Sequence, residues 1–187
     1  QRDKAINILI AGCFLYWKGF TVFLDVLYEL YHRKIPFVAE IIGSGDEYFE
    51  KVLRKRSDIL ENKGMITYTK TLPRNIFLER VERADVFLYP TFYGTGDSIM
   101  LEAIEKGTPV VCFPSNGAVE LLTKNYPYMT KHFEVKELCD VVISVDKNSQ
   151  VFLRYRNKIL SHHSSNSKIE NMLGYYKRLL TEKNDER

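Results

Sequence analysis

The chain has 187 residues, 45% of them hydrophobic and 27% charged, with a net charge of +3. This composition excludes a disordered or fibrous protein, and a chain of this length buries roughly 70% of its unfolded surface without needing a disulfide or metal staple. It also lacks the concentrated basic patch of a nucleic-acid binder, so no nucleic-acid partner is expected.

Charge is unevenly spread: residues 1–146 hold 18 Lys/Arg against 20 Asp/Glu, and residues 147–187 hold 9 against 4. The basic C-terminal stretch reads as a solvated helical face, with a peripheral membrane-surface role left open. Cys13, Cys112 and Cys139 are odd in number and far apart with no C-x-x-C spacing. They read as reduced thiols of a cytoplasmic compartment rather than a disulfide framework or a zinc site. The longest apolar runs fall far short of the roughly 20 residues that span a bilayer, and residues 1–15 do not read as a signal peptide. A soluble, cytoplasmic protein is expected.

Along the chain, apolar β-branched runs alternate with segments of helical period, the pattern of a parallel sheet covered by helices. Strands are expected at 6–11, 37–42, 65–68, 85–89, 109–113 and 126–129, each followed by a helix. In the first helix Phe20, Phe23, Leu24, Leu27, Leu30 and Tyr31 form one apolar stripe, and Pro36 bars its continuation into the second strand. Two helices close the chain at 150–160 and 169–182, with the small polar residues Ser161 to Ser167 favouring a loop and an N-cap between them. The whole reads as one α/β domain over residues 1–187, an open parallel sheet of about six strands flanked by helices.

In such a sheet, ligands bind at the C-terminal ends of the strands. After the first strand comes Gly12-Cys13-Phe14-Leu15-Tyr16-Trp17-Lys18-Gly19, which puts a lysine at a helix start where its ammonium and free backbone N–H groups can meet an anion. After the second comes Gly43-Ser44-Gly45-Asp46, either room for a ligand or a plain turn; with Tyr48 where a third glycine would fall, it is not a dinucleotide fingerprint. After the fourth comes Pro90-Thr91-Phe92-Tyr93-Gly94-Thr95-Gly96-Asp97-Ser98-Ile99-Met100-Leu101-Glu102. Its glycines let the chain run close to a ligand, Asp97 or Ser98 can cap the helix, and the helix start offers its dipole to a phosphate. Glu102, a turn further in, is either a carboxylate for a pair of sugar hydroxyls or a helix-start glutamate satisfied by the dipole. Pro114-Ser115-Asn116-Gly117 after the fifth strand is another small-residue turn.

Five pieces in register carry a family resemblance: Lys18-Gly19, Ile42-Gly43-Ser44-Gly45, Ala84-Asp85-Val86-Phe87-Leu88-Tyr89-Pro90-Thr91, Leu101-Glu102-Ala103, and Gly107-Thr108-Pro109-Val110-Val111. Over nearly the whole chain the arrangement resembles the C-terminal, donor-binding half of family-four retaining glycosyltransferases of GT-B architecture, in which two Rossmann-like domains face each other. The resemblance implies that Lys18 contacts the diphosphate of a nucleotide-sugar donor, beside Gly12 and Gly19. It implies that Thr95, Gly96, Asp97, Ser98 and Ile99 present backbone N–H groups to that diphosphate, next to Gly94. Glu102 is then the ribose ligand and, with Lys18, the catalytic group, while the 69–74 loop, with Leu72, borders the base. The family usually has an arginine where this chain has Cys13, and a first glutamate where it has Gly94; Asp97 is either a substitute carboxylate or a helix cap.

What the resemblance implies for activity is retaining transfer of a hexose from a UDP- or GDP-sugar to a glycan or lipid-linked acceptor, as in polysaccharide biosynthesis, with Lys18 and the helix dipole offsetting the charge of the leaving diphosphate. No Asp-x-Asp pair is present to clamp a divalent ion, and His32, His132, His162 and His163 lie outside the ligand loops, so no cofactor or metal is expected. The first strand begins near Ile6, so an acceptor domain is expected on the N-terminal side, in the same or another chain. Tyr155, Arg156, Tyr175, Tyr176, Lys177 and Arg178 are candidates for docking it, or for packing on the sheet. A non-catalytic nucleotide-binding scaffold, a nucleotide-sugar epimerase and a nicotinamide oxidoreductase are the alternatives, the last disfavoured by the missing fingerprint.

Overall fold

The computed structural model describes residues 4–93, 98–164 and 172–173. Five parallel strands form one sheet in the order β3-β2-β1-β4-β5: β1 (Ile6–Phe14), β2 (Phe37–Gly45), β3 (Ile66–Thr69), β4 (Val86–Tyr89) and β5 (Val110–Cys112). The helices are α1 (Phe20–His32), α2 (Glu47–Asn62), α3 (Arg74–Arg83), α4 (Ser98–Glu105), α5 (Asn116–Leu122), α6 (Val135–Ser144) and α7 (Gln150–His162). Covered on both faces, the central strands need apolar side chains on both sides, and every residue of β4 is buried.

The apolar stripe of α1 lies where its period puts it. Phe20, Phe23, Leu24, Leu27 and Leu30 are all buried, each stabilising the fold by about 1.5–3 kcal/mol relative to exposure. Tyr31 is only half-buried, against the rim of the core. Helix α6 packs on α1, and α7 packs on α4.

Three sequence expectations need correction. Residues 126–129 form no strand among the described residues: Pro127 cannot donate to a ladder, and Met129 N–H turns back to the Tyr126 carbonyl, leaving one bridge between Met129 and Cys112. The sheet therefore has five strands. Second, the expected loops Gly12-Cys13-Phe14 and Gly43-Ser44-Gly45 are strand, because β1 and β2 stay paired through Gly12↔Gly43 and Cys13↔Ser44 to Phe14↔Gly45. Third, Lys18 does not open α1. It ends a single 3-10 turn, Tyr16–Lys18, and Gly19, at φ 76°, starts the helix. The expected helix at 169–182 lies outside the described residues except for 172 and 173.

The long β1–β2 pairing depends on glycine. Gly43 has φ 152°, and a Cβ there would lie 2.0 Å from the Gly12 carbonyl oxygen. Helix α4 ends in a Schellman turn, with Gly107 at φ 80° and Thr108 N–H donating to the Ala103 carbonyl. Thr108 Oγ1 then donates to the Val81 carbonyl at 2.6 Å in a buried bond, tying the last turn of α3 to the end of α4. Arg156 of α7 donates to the Ile104 and Glu105 carbonyls, at 2.8 and 2.6 Å, satisfying acceptors that the end of α4 leaves open.

The two glycines separate strain from clash. Gly107→Ala meets no atom within 4 Å and is expected to cost only the left-handed backbone penalty, about 1–2 kcal/mol. Gly43→Ala must also push β1 and β2 apart and is expected to cost clearly more, above about 2 kcal/mol, in urea denaturation. Equal midpoints for the two variants would show that the close strand approach is not a constraint.

Candidate functional site

On one side β1 is paired with β2 over nine residues, Ile6 to Phe14, but on the other side it is paired with β4 only at Ile8↔Val86 and Leu9↔Phe87. Beyond Leu9 the two central strands diverge, at the point where the strand order reverses and where open α/β sheets hold ligands. A cavity of about 310 Å³ opens at these C-terminal ends. Its floor is Gly12 and Cys13 of β1 with Gly43 and Ser44 of β2, its side wall is Thr71, Leu72 and Phe77, and Ile99 of α4 closes it above.

Of the residues expected in the site, Gly12, Leu72 and Ile99 line this cavity. Lys18, Gly19 and Glu102 are not among its lining residues; Lys18 and Gly19 stand at the end of β4. Lys18 Nζ donates to Tyr89 Oη at 3.4 Å, and the site of a Gly19 Cβ is only 2.1 Å from the Pro90 carbonyl oxygen, so the β1–α1 turn sits tightly on the chain leaving β4. Thr91 Oγ1 donates to the Lys18 carbonyl at 3.5 Å and Phe92 N–H to the Trp17 carbonyl at 3.2 Å, which fixes the turn that carries Lys18. Ser98 begins α4 and is exposed. Gly94, Thr95, Gly96 and Asp97 lie outside the described residues.

Glu102 lies on α4 with a side chain only 16% exposed, and its Oε1 accepts from Arg74 Nη1 of α3 at 3.1 Å, while Arg74 itself is 71% exposed. An ion pair this open to solvent is worth about 0–1 kcal/mol. It leaves the carboxylate available to a ligand that offers two hydroxyls. Glu105, three residues on, is exposed, and its carbonyl is held by Arg156.

Sequence reasoning missed Phe77, and it gave no individual role to Ser44, Thr71 and Arg74, which lie in strand-end loops it had singled out. Ser44 and Thr71 bring their hydroxyls within 3.3 Å of each other across the cavity rim, a neutral polar pair from the end of β2 and the β3–α3 loop. Phe77 looked like an ordinary core position on α3. Arg74 carried a detectable signal: a cation in the first turn of a helix opposes the dipole, so its partner must come from elsewhere. Cys13, where the family usually has arginine, is exposed and lines the cavity floor.

Solved structures share this fold. A glycosyltransferase from Rickettsia africae superposes with TM-score 0.72 at 19% identity, covering 95% of this chain and 48% of its own. HepE from Anabaena, solved with UDP and glucose, gives TM-score 0.73 at 17% identity, covering 91% of this chain and 48% of its own. A TarM variant from S. aureus, solved with fondaparinux, α-GlcNAc-glycerol and UDP, gives TM-score 0.77 at 14% identity, covering 92% and 36%. The chain thus spans about half, or less, of the length of each. No curated protein sequence matches it significantly. The glycosyl transferases group 1 family model matches residues 1–162, and with the Rossmann-like sheet and the strand-end crevice already in place, the chain belongs to that family.

Proposed function

We propose that this chain is the donor half of a retaining hexosyltransferase, holding a nucleoside-diphosphate sugar for transfer to a glycan or lipid-linked acceptor. The observation that carries the reading is the cavity at the ends of β1 and β2, floored by Gly12 and Gly43 and reached by Ile99 of α4, with Lys18 held at the end of β4 and Glu102 three residues along α4 from Ile99. Leu72 and Phe77 offer an apolar wall to the base. Glu102 accepts hydrogen bonds from the ribose hydroxyls, replacing or sharing Arg74. Lys18 and the N-terminus of α4 meet the diphosphate and stabilise the charge it gains as it leaves, an electrostatic role that needs donors fixed in advance. UDP is the first nucleotide to test, since HepE and TarM were both solved with it; GDP is the second. The remaining acceptor apparatus belongs to an N-terminal domain in the same or another chain, with the assembly cytoplasmic or on the cytoplasmic membrane face.

Cys13 and Gly94 favour a second reading, a nucleotide-binding domain without catalysis, because they replace the arginine and glutamate usual in the family. Loss of a charge-assisted contact costs about 1.5–3 kcal/mol. Product analysis with the complete protein separates the readings: transfer with retention, epimerised donor, or nucleotide binding alone.

Calorimetry with UDP should show binding that weakens on Lys18→Ala. Glu102→Gln should cost about 1.5–3 kcal/mol, as for a hydrogen bond to a charged group, and Glu105→Gln almost nothing. Arg74→Ala breaks the same ion pair but keeps the carboxylate, so a loss matching that of Glu102→Gln would overturn the ribose assignment.

Thiol labelling reads the location of the ligand. Cys13 is exposed, whereas Cys112 and Cys139 are buried, with burial pushing both thiols up, Cys139 to about 11. A maleimide should modify Cys13 first, and saturating UDP should slow that modification several-fold. Unchanged labelling in the presence of bound UDP would place the nucleotide elsewhere.

Half a cleft forfeits most of the roughly 7–11 kcal/mol that positioning of two reactants can supply. These 187 residues alone are therefore expected to bind donor yet transfer little sugar. Multiple turnover at an ordinary enzymatic rate, of order 1 per second, would refute the half-enzyme reading.

A further inference from the structure

Beside the crevice lies a second concavity of about 460 Å³, lined by Tyr16, Trp17, Phe92, Tyr93 and Phe133. All five are aromatic; none is aliphatic and none charged. Tyr16 and Tyr93 are 74% and 78% exposed, and Trp17 and Phe133 close to half. Within it Phe92 and Phe133 stack at 6.1 Å with 16° between their planes, and both rest on the buried Phe113, at 5.5 and 5.1 Å. The Phe92 to Trp17 backbone bond ties its two loops together. The volume is within the roughly 300–1,000 Å³ of small-molecule sites.

We propose that this aromatic concavity is a binding site for a neutral saccharide, the acceptor side of the donor crevice. Its role as acceptor site rests on the reading of the chain as a donor half. A pyranose ring shows one face of C–H groups, which stack on the electron-rich face of an aromatic ring, while its hydroxyl edge needs hydrogen-bond partners. Tyrosine and tryptophan supply both, through their rings and through the Tyr16 and Tyr93 hydroxyls and the Trp17 indole N–H. An anionic membrane surface would be matched by Lys/Arg, and the lining contains none. Position supports the same occupant. Trp17 directly precedes Lys18, and Tyr93 directly precedes the glycine-rich segment leading into α4. The concavity thus adjoins the proposed diphosphate end of the crevice, where the transferable sugar would lie, while Leu72, proposed to border the base, belongs to the neighbouring cavity.

Trp17 is the only tryptophan, so its fluorescence reports on this site directly. The purified chain is titrated separately with maltotriose, cellotriose, chitotriose and mannotriose, and with UDP. At least one trisaccharide should shift Trp17 emission at roughly millimolar concentration. Tyr16→Ala should weaken that saccharide roughly tenfold, Trp17→Ala should abolish its heat of binding in calorimetry, and both should keep UDP affinity within about twofold. The proposal is overturned if no trisaccharide moves the emission, or if both variants bind the sugar as the parent does. It is equally overturned if the emission responds only to phosphatidylserine-containing vesicles, pointing to a membrane, or only to protein concentration with a matching change in sedimentation, pointing to a second copy. Saccharide binding without any UDP binding would remove the donor reading and leave the saccharide site standing.

Discussion

Everything at the site depends on the unequal pairing of β1. It keeps β2 for its full length, to Phe14↔Gly45, and releases β4 after Leu9↔Phe87. The cavity forms at the C-terminal ends of the paired strands β1 and β2, where Gly12, Cys13, Gly43 and Ser44 line it. The longer pairing is possible because Gly43 brings its backbone against Gly12 without a side chain between. Any larger residue at Gly43 would part the strands that make the floor.

Around that floor the polar groups are modest individually and act through position. Lys18 is carried by a single 3-10 turn, with the following Gly19 held against Pro90. Glu102 is shielded to 16% exposure on its side-chain surface while its counter-ion Arg74 remains mostly in water. An ion pair whose cation is this exposed holds the carboxylate only weakly.

The strand and helix pattern was legible because its physics is local. The stripe from Phe20 to Leu30 is a period-3.6 repeat whose members are all buried, and Val86 to Tyr89 is a short apolar run that only a doubly covered strand could bury. What failed was whatever depends on the neighbouring strand. Gly12-Cys13-Phe14 and Gly43-Ser44-Gly45 look like turns taken singly, and become strand only because each supplies the other's partner. Residues 126–129 carry β-type side chains but lack a donor at Pro127, and the turn bond from Met129 decided against a strand. The glycines and the 43–46 and 69–74 loops were visible as strand-end motifs, whereas Phe77 of α3 joins the lining through tertiary placement that spacing cannot encode.

The buried Thr108–Val81 bond has a mechanical consequence. It joins α3 and the end of α4, while Arg74 at the start of α3 meets Glu102 of α4. Arg74 lies seven residues from Val81 along α3, a lever arm of about 10 Å. A rotation of about 10° at that fulcrum moves the guanidinium end by about 2 Å, more than a hydrogen bond tolerates. A small tilt of α3 at this buried joint would thus be amplified at its Arg74 end.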